Sequence, residues 1–136
     1  MTRYLLDTNT ISQLIRAHPA VSRRMTTSPM ASLCISAITQ GELLFGLAKR
    51  PDATRLHRAV RELLRRVDVL PWDSAAAERY GSIRAAMTRL GKVLAPLDLL
   101  IAAHALSLGA VLVTNDGSFG MVETLSIEDW PTDQPP

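Results

Sequence analysis

Four carboxylates, Asp7, Glu42, Asp98 and Asp116, each stand where an apolar run gives way to a turn or to the first turn of a helix. Asp7 closes Tyr4-Leu5-Leu6, and Glu42 follows Leu33-Cys34-Ile35-Ser36. Asp98 opens Leu99-Leu100-Ile101-Ala102-Ala103, and Asp116 follows Val111-Leu112-Val113-Thr114-Asn115. Gathered at one point, such acids repel and raise one another's pKa unless a cation compensates. Oxygen ligands without a His or Cys cluster suit a hard ion, Mg²⁺ or Mn²⁺. One or two such ions can activate a water and stabilise the leaving oxygen in phosphodiester hydrolysis. Asn9 is a candidate to orient Asp7 or a water, and Thr114 and Asn115 are candidates to support Asp116.

Taken singly, each acid has an ordinary explanation. Asp7 can make an Asx turn before Thr8-Asn9, and Glu42 stands at capping-box spacing from Thr39. Asp98, after Pro96-Leu97, can be an N-cap, and Asp116 in Asn115-Asp116-Gly117 can be a turn residue. Their joint position therefore depends on the elements that carry them. Apolar runs predict strands over Tyr4–Leu6, Leu33–Ile35, Val67–Leu70 and Ala110–Thr114, with an edge strand over Leu125–Ile127. Helical spacing predicts helices over Thr10–Arg16 and Ala20–Met25, and from the Thr39 box to Arg50-Pro51. A further helix capped by Asp52 has Leu56, Val60, Leu63, Leu64 and Val67 on one face and Arg58, Arg61 and Arg65 on the other. Asp73 caps a helix running to Leu90, a linker covers Lys92–Leu97, and a last helix runs from Asp98 to Leu108, ended by Gly109. Strands alternating with helices imply a parallel sheet covered on both faces. Ligands of such sheets bind beyond the carboxyl ends of the strands, where all four acids fall.

With 136 residues the chain is expected to form a single domain over 1–130, followed by a flexible, proline-rich tail over 131–136. Aromatic residues make up only 4%, which predicts an aliphatic core and argues against RNA recognition by an aromatic platform. The single cysteine, Cys34, lies in an apolar run and reads as a small buried hydrophobe in a reducing compartment. No leader sequence is visible, and no apolar stretch approaches the roughly 18 residues a membrane span requires. A soluble, cytoplasmic protein is expected. The net charge is only +2, but Lys49, Arg50, Arg55, Arg58, Arg61, Arg65 and Arg66 crowd the middle, which permits a polyanionic partner. His18, His57 and His104 lack metal-ligand spacing, and no phosphate-binding glycine loop is present.

Four segments, in order, carry a resemblance: Leu5-Leu6-Asp7-Thr8-Asn9; Ile35-Ser36 with Thr39 and Glu42-Leu43; Pro96-Leu97-Asp98-Leu99-Leu100-Ile101-Ala102-Ala103; and Thr114-Asn115-Asp116 with Phe119. They resemble the signature segments of PIN-domain ribonucleases, and the chain is most similar to VapC toxins of bacterial type II toxin-antitoxin pairs. The resemblance implies a three-layer α/β/α domain around a central, mainly parallel sheet. It also implies a Mg²⁺- or Mn²⁺-dependent endoribonuclease, with Asp7, Glu42, Asp98 and Asp116 as the catalytic and metal-binding quartet. A cognate VapB-like antitoxin as inhibitor, a homodimer, and transfer or ribosomal RNA as substrate follow from the same resemblance. No extra acid stands at Gly117 or Ser118, which leaves the number of metals open.

Arg84, Arg89 and Lys92 are candidate RNA contacts, because their helix and loop lead into Asp98. The Arg58, Arg61 and Arg65 face is more simply a solvated one. Two rivals remain. Leu6-Asp7-Thr8-Asn9-Thr10 is similar to the strand-end nucleophile segment of haloacid-dehalogenase phosphohydrolases, but Asn9 cannot supply the general acid. A non-catalytic binding module is the other, its groove formed by the helices around Ile11, Leu14, Ile15, Leu43, Leu44 and Leu47.

Overall fold

Leu5 lies beside Cys34 and Leu112 on the neighbouring strands, while Leu6 lies beside Val113. Successive strand residues point to opposite faces, so this register sends alternate side chains into two separate apolar layers. Leu5, Cys34 and Leu112 pack with Met87, Leu99, Ala102 and Ala105. Leu6, Ile35 and Val113 pack with Ile11, Leu43, Leu47, Val60 and Leu63. Leu5, Leu6, Ile35 and Leu112 are fully buried, each worth about 1.5–3 kcal/mol, and a one-residue slip would turn them to the wrong face.

The computed structural model describes residues 2–16, 23 and 26–130. The helix expected over 20–25, Arg23 apart, and the tail expected over 131–136 lie outside them. The five strands are β1 (Tyr4–Leu6), β2 (Leu33–Ser36), β3 (Asp68–Leu70), β4 (Val111–Val113) and β5 (Ile127–Glu128). They form one sheet in the order β3-β2-β1-β4-β5, and every pairing is parallel. Helices α1 (Thr8–Ile15), α2 (Ala37–Ala48) and α3 (Thr54–Arg66) cover one face, and α4 (Ser74–Arg89) and α5 (Pro96–Leu108) cover the other. This is the three-layer arrangement expected. Among the described residues no helix is long and apolar enough to cross a membrane.

Several boundaries differ from the sequence reading, and the differences bear on the acids. Helix α2 begins at Ala37 because Ser36, the last residue of β2, takes the N-cap, its Oγ accepting the Ile38 N–H at 3.1 Å. Thr39 is therefore inside the helix and Glu42 lies in its second turn, so there is no capping box. Helix α5 begins at Pro96, whose missing N–H falls where a helix has no acceptor to offer. Asp98 is thus its third residue and not its cap, and the expected linker is shorter. Asp52 does not cap α3, which starts from Ala53 without any side-chain cap. Asp73 does cap α4, accepting the Ala76 N–H at 3.1 Å.

The α4–α5 connection is a helical hairpin. Gly91 adopts φ 68°, and Lys92 N–H donates to the Met87 carbonyl at 2.9 Å while Gly91 N–H donates to Thr88 at 3.1 Å. That pair of bonds closes the end of α4 in a Schellman motif. At the other end Trp72 Nε1–H donates to the Leu100 carbonyl at 2.9 Å, which fixes the entry to α4 against α5.

Candidate active site

The carboxyl ends of β1 and β4 are joined directly: Asp7 N–H donates to the Val113 carbonyl at 3.1 Å. Asp7 Oδ1 accepts the Thr10 N–H at 2.8 Å and so caps α1, which starts two residues earlier than expected. Asp7 is 5% exposed. Burial pushes its carboxyl pKa up and the charge of Asp116 adds to the rise, while the Thr114 hydroxyl and the Thr10 N–H oppose it.

Asp116 is treated differently by its surroundings. Its N–H donates to Thr114 Oγ1 at 3.0 Å, and its Oδ1 accepts both the Ser118 N–H at 2.9 Å and the Ser118 hydroxyl at 2.7 Å. Those two donors hold its carboxyl below the usual range. Both fall on the same oxygen, leaving the other uncommitted among the described residues. Glu42 is held across the site, its Oε1 accepting the Thr8 hydroxyl at 2.7 Å. Asp98, half-buried in the first turn of α5, has a raised pKa. Burial contributes most, followed by the charges of Asp116, Glu42 and Asp7. One carboxyl thus feels the other three, and the acids supplied by β1, α2, α5 and the end of β4 converge on one region.

A divalent cation fits this donor set. The donors are carboxylate oxygens, and among the described residues none of the four is paired with a cationic side chain. The set is not collapsed for ligation, however: among the described residues no three His, Cys, Asp or Glu side chains are grouped so that they could hold one ion in this conformation. Thr8 and Ser118 each occupy one carboxylate oxygen, that of Glu42 Oε1 and that of Asp116 Oδ1. Thr39, one turn before Glu42, also buries a hydroxyl oxygen with no partner among the described residues.

Of the supporting residues expected, Thr114 is buried and bonded into the site. Asn9 and Asn115 are exposed and make no hydrogen bond to an acid among the described residues. Thr8 and Ser118 hold acids instead. The Asp116-x-Ser118 spacing is a local turn signal that makes the second legible, whereas Thr8 and Glu42 are 34 residues apart. His104, without ligand spacing in the sequence, is buried with Nδ1 2.8 Å from Ser36 Oγ. Cys34 is buried, and desolvation pushes its thiol up to about 11. Among the basic candidates, Arg84 and Lys92 line one groove beside α5, while Arg89 ends α4, exposed.

Fold and acid-lined sheet edge together define a class, and the PIN domain family model matches residues 4–124. The chain is 37% identical over 131 residues to the tRNA(fMet)-specific endonuclease VapC of Shigella flexneri, covering 96% of this chain and 99% of the relative. Among solved structures it is similar to DNA-bound VapBC from Salmonella typhimurium, with TM-score 0.89, 36% identity and coverage of 96% and 99%. It is also similar to VapBC2 from Rickettsia felis bound to a promoter DNA fragment, with TM-score 0.86, 28% identity and coverage of 95% and 99%. The chain belongs to the VapC ribonucleases of the PIN-domain family.

Proposed function

We propose that the protein is a VapC-type toxin, an endoribonuclease dependent on Mg²⁺ or Mn²⁺ and restrained by a VapB-like antitoxin. The observation that carries this reading is the convergence of Asp7, Glu42, Asp98 and Asp116, with Asp98 sensing the other three charges and no cationic side chain among the described residues answering them. These four would hold the ion. When bound, it would neutralise the scissile phosphate and ease deprotonation of an attacking water. Asp7 and Asp116 anchor the site to the sheet edge through their capping bonds. Asp98 and Glu42 bring charge from the helices on the two faces. Thr114 orients the strand-end pair, and Asn9 and Asn115, exposed at the rim, are free to meet the substrate.

The Shigella relative is named for tRNA(fMet), so a transfer RNA is the first substrate to test and a ribosomal RNA the next. An antitoxin is supported by the VapBC neighbours and by a cavity of about 410 Å³ between α1, α2 and α3. Ile15, Leu43, Leu47 and Val60 give it an apolar wall, and Thr8 and Glu42 stand at its acid end. An amphipathic segment lying there can deliver a basic side chain to the carboxylates. A homodimer in the cytoplasm completes the proposal.

Asp98→Asn and Glu42→Gln test it, because each keeps the shape and removes the charge, and neither residue is a cap. We expect cleavage to fall at least about 10²-fold, since even residues supporting metal ligands cost about 10–100-fold. EDTA should abolish wild-type cleavage and Mn²⁺ restore it, with melting of both variants unchanged or slightly raised. Full activity in Asp98→Asn, or cleavage indifferent to EDTA, would overturn the metal-dependent reading, and no cleavage by wild type in Mn²⁺ would leave the non-catalytic module.

A further inference from the structure

The α4–α5 hairpin carries a groove of about 400 Å³ that the acid site does not use. Its α5 wall is formed by Pro96 and Leu99, which flank Asp98 on the same helical turn. Its α4 wall carries Tyr80, Arg84 and Thr88, and Lys92 closes one end. No acidic residue lines it.

Arg84 is held in place. Its Nη1–H donates to Tyr80 Oη at 2.7 Å, and its guanidinium lies 5.7 Å from the centre of that ring. Tyr80 in turn meets Trp72 edge-on at 6.2 Å, and Trp72 is bonded to the Leu100 carbonyl. A chain of contacts therefore runs from the second turn of Asp98's own helix to the Arg84 fork. Among the described residues neither Arg84 nor Lys92 has a carboxylate partner. An anchored, unneutralised guanidinium presents its donors in the planar geometry that suits phosphate oxygens. The other basic surface lacks these features, since on α3 both Arg65 and Arg66 lean on Glu62, at 3.6 and 3.2 Å.

We propose that this groove is the channel for the RNA strand next to the scissile bond, with a flanking phosphate held between Arg84 and Lys92. The proposal rests on the ribonuclease reading above and adds to it the direction in which the substrate runs. Charge selects the occupant: two cations and no acid favour a polyanion. Apolar Val93, 82% exposed, is part of the lining and suits the flat face of a base. Arg89 is not among the lining residues and takes no part.

The test compares two double variants of equal charge in the full-length protein, Arg84→Gln/Lys92→Gln and Arg58→Gln/Arg61→Gln. Binding of a fluorescein-labelled single-stranded RNA is followed by anisotropy in EDTA over a range of salt concentrations. The groove variant should lose at least about tenfold in affinity and about 0.7 in salt slope, the value for one phosphate contact on a single strand. The α3 variant should bind like wild type. With Mn²⁺ present, the groove variant should raise KM and leave kcat unchanged. Equal losses in the two variants would mean a diffuse field and overturn the channel, as would wild-type binding by the groove variant. A change in sedimentation in place of a change in RNA affinity would assign the groove to contact between copies. If wild type neither binds nor cleaves RNA, the ribonuclease reading itself fails, an outcome distinct from an inert groove in an active enzyme.

Discussion

The strand-end acids and the helix-borne acids are held in opposite ways. Asp7 and Asp116 each cap the element that follows them, Asp7 for α1 and Asp116 for the 3₁₀ turn Gly117–Met121. One oxygen of each accepts a donor two or three residues away. Glu42 and Asp98 cap nothing: one is held only by Thr8 from another element, and the other makes no hydrogen bond among the described residues. Asp98 gains a little from lying at the positive end of α5. Burial and three neighbouring acids outweigh that gain, since its pKa is raised. The strand-end pair therefore caps the fold, while Asp98 is held against burial and like charge, and under the proposed function both pairs serve the chemistry.

The largest effect that can break this comparison comes from paired substitutions. Asp7→Asn and Asp7→Ala should both lose at least about 10² in cleavage, as expected for a metal ligand. Only Asp7→Ala should unfold early, by about 1 kcal/mol for the lost cap, or about 4 °C in a chain of this size. Asp98→Asn and Asp98→Ala should both leave melting unchanged or raised. Scanning calorimetry beside the cleavage assay decides it. An Asp98→Ala protein that melts as early as Asp7→Ala would erase the distinction.

How much of this was readable in the chain follows the same division. β1 was read to the residue because Tyr4-Leu5-Leu6 is bounded by polar residues on both sides, and Gly109, at φ 62°, ended α5 where expected. The positions of Asp7 and Asp116 followed from strand ends alone. The helix starts were harder, because several residues compete for one cap. Ser36 and Thr39 are both good caps, and the one at the strand end won. Pro96 moved the start of α5 back by two residues for the same kind of local reason. What the sequence could not offer were the bonds that span the chain, Thr8 to Glu42 and Ser36 to His104, the latter 68 residues apart. Such pairs exist only once β1, β2 and α5 have been brought together by the sheet.

Thr8 gives a smaller and sharper test of the helix-borne pair. Thr8→Val keeps the shape of the side chain and removes the donor that positions Glu42 Oε1. Mn²⁺ affinity, measured by calorimetry, should fall about tenfold, the lower end for a group that orients a metal ligand. Asn9→Ala, its exposed neighbour, should leave that affinity unchanged. Equal affinities for wild type and Thr8→Val would show that Glu42 is organised by the cation and not in advance.

The smallest effect concerns stability alone and runs through His104, which ties α5 to the cap of α2. Ser36 Oγ already accepts the Ile38 N–H, so its proton is best spent on His104 Nδ1, which leaves the neutral ring with its own proton on Nε2. Burial lowers the His104 pKa, with the charge of Asp73 opposing. The unfolded chain, near the ordinary value of about 6.5, therefore takes up a proton before the folded one as pH falls. Its contribution is fully present above about pH 6.5 and is lost as the pH drops through the lower folded value. Asp7 and Asp98 have raised values and work in the opposite sense, favouring the fold as they protonate, so the comparison must be made against a variant. His104→Asn keeps a polar partner for Ser36 but cannot titrate. The melting-temperature advantage of wild type over His104→Asn should shrink between about pH 7.5 and about pH 5. Parallel profiles would mean that His104 titrates alike in the folded and unfolded chain, and an advantage that grows toward about pH 5 would mean that it holds its proton in the fold and donates to Ser36, reversing the bond that joins the helices of Asp98 and Glu42.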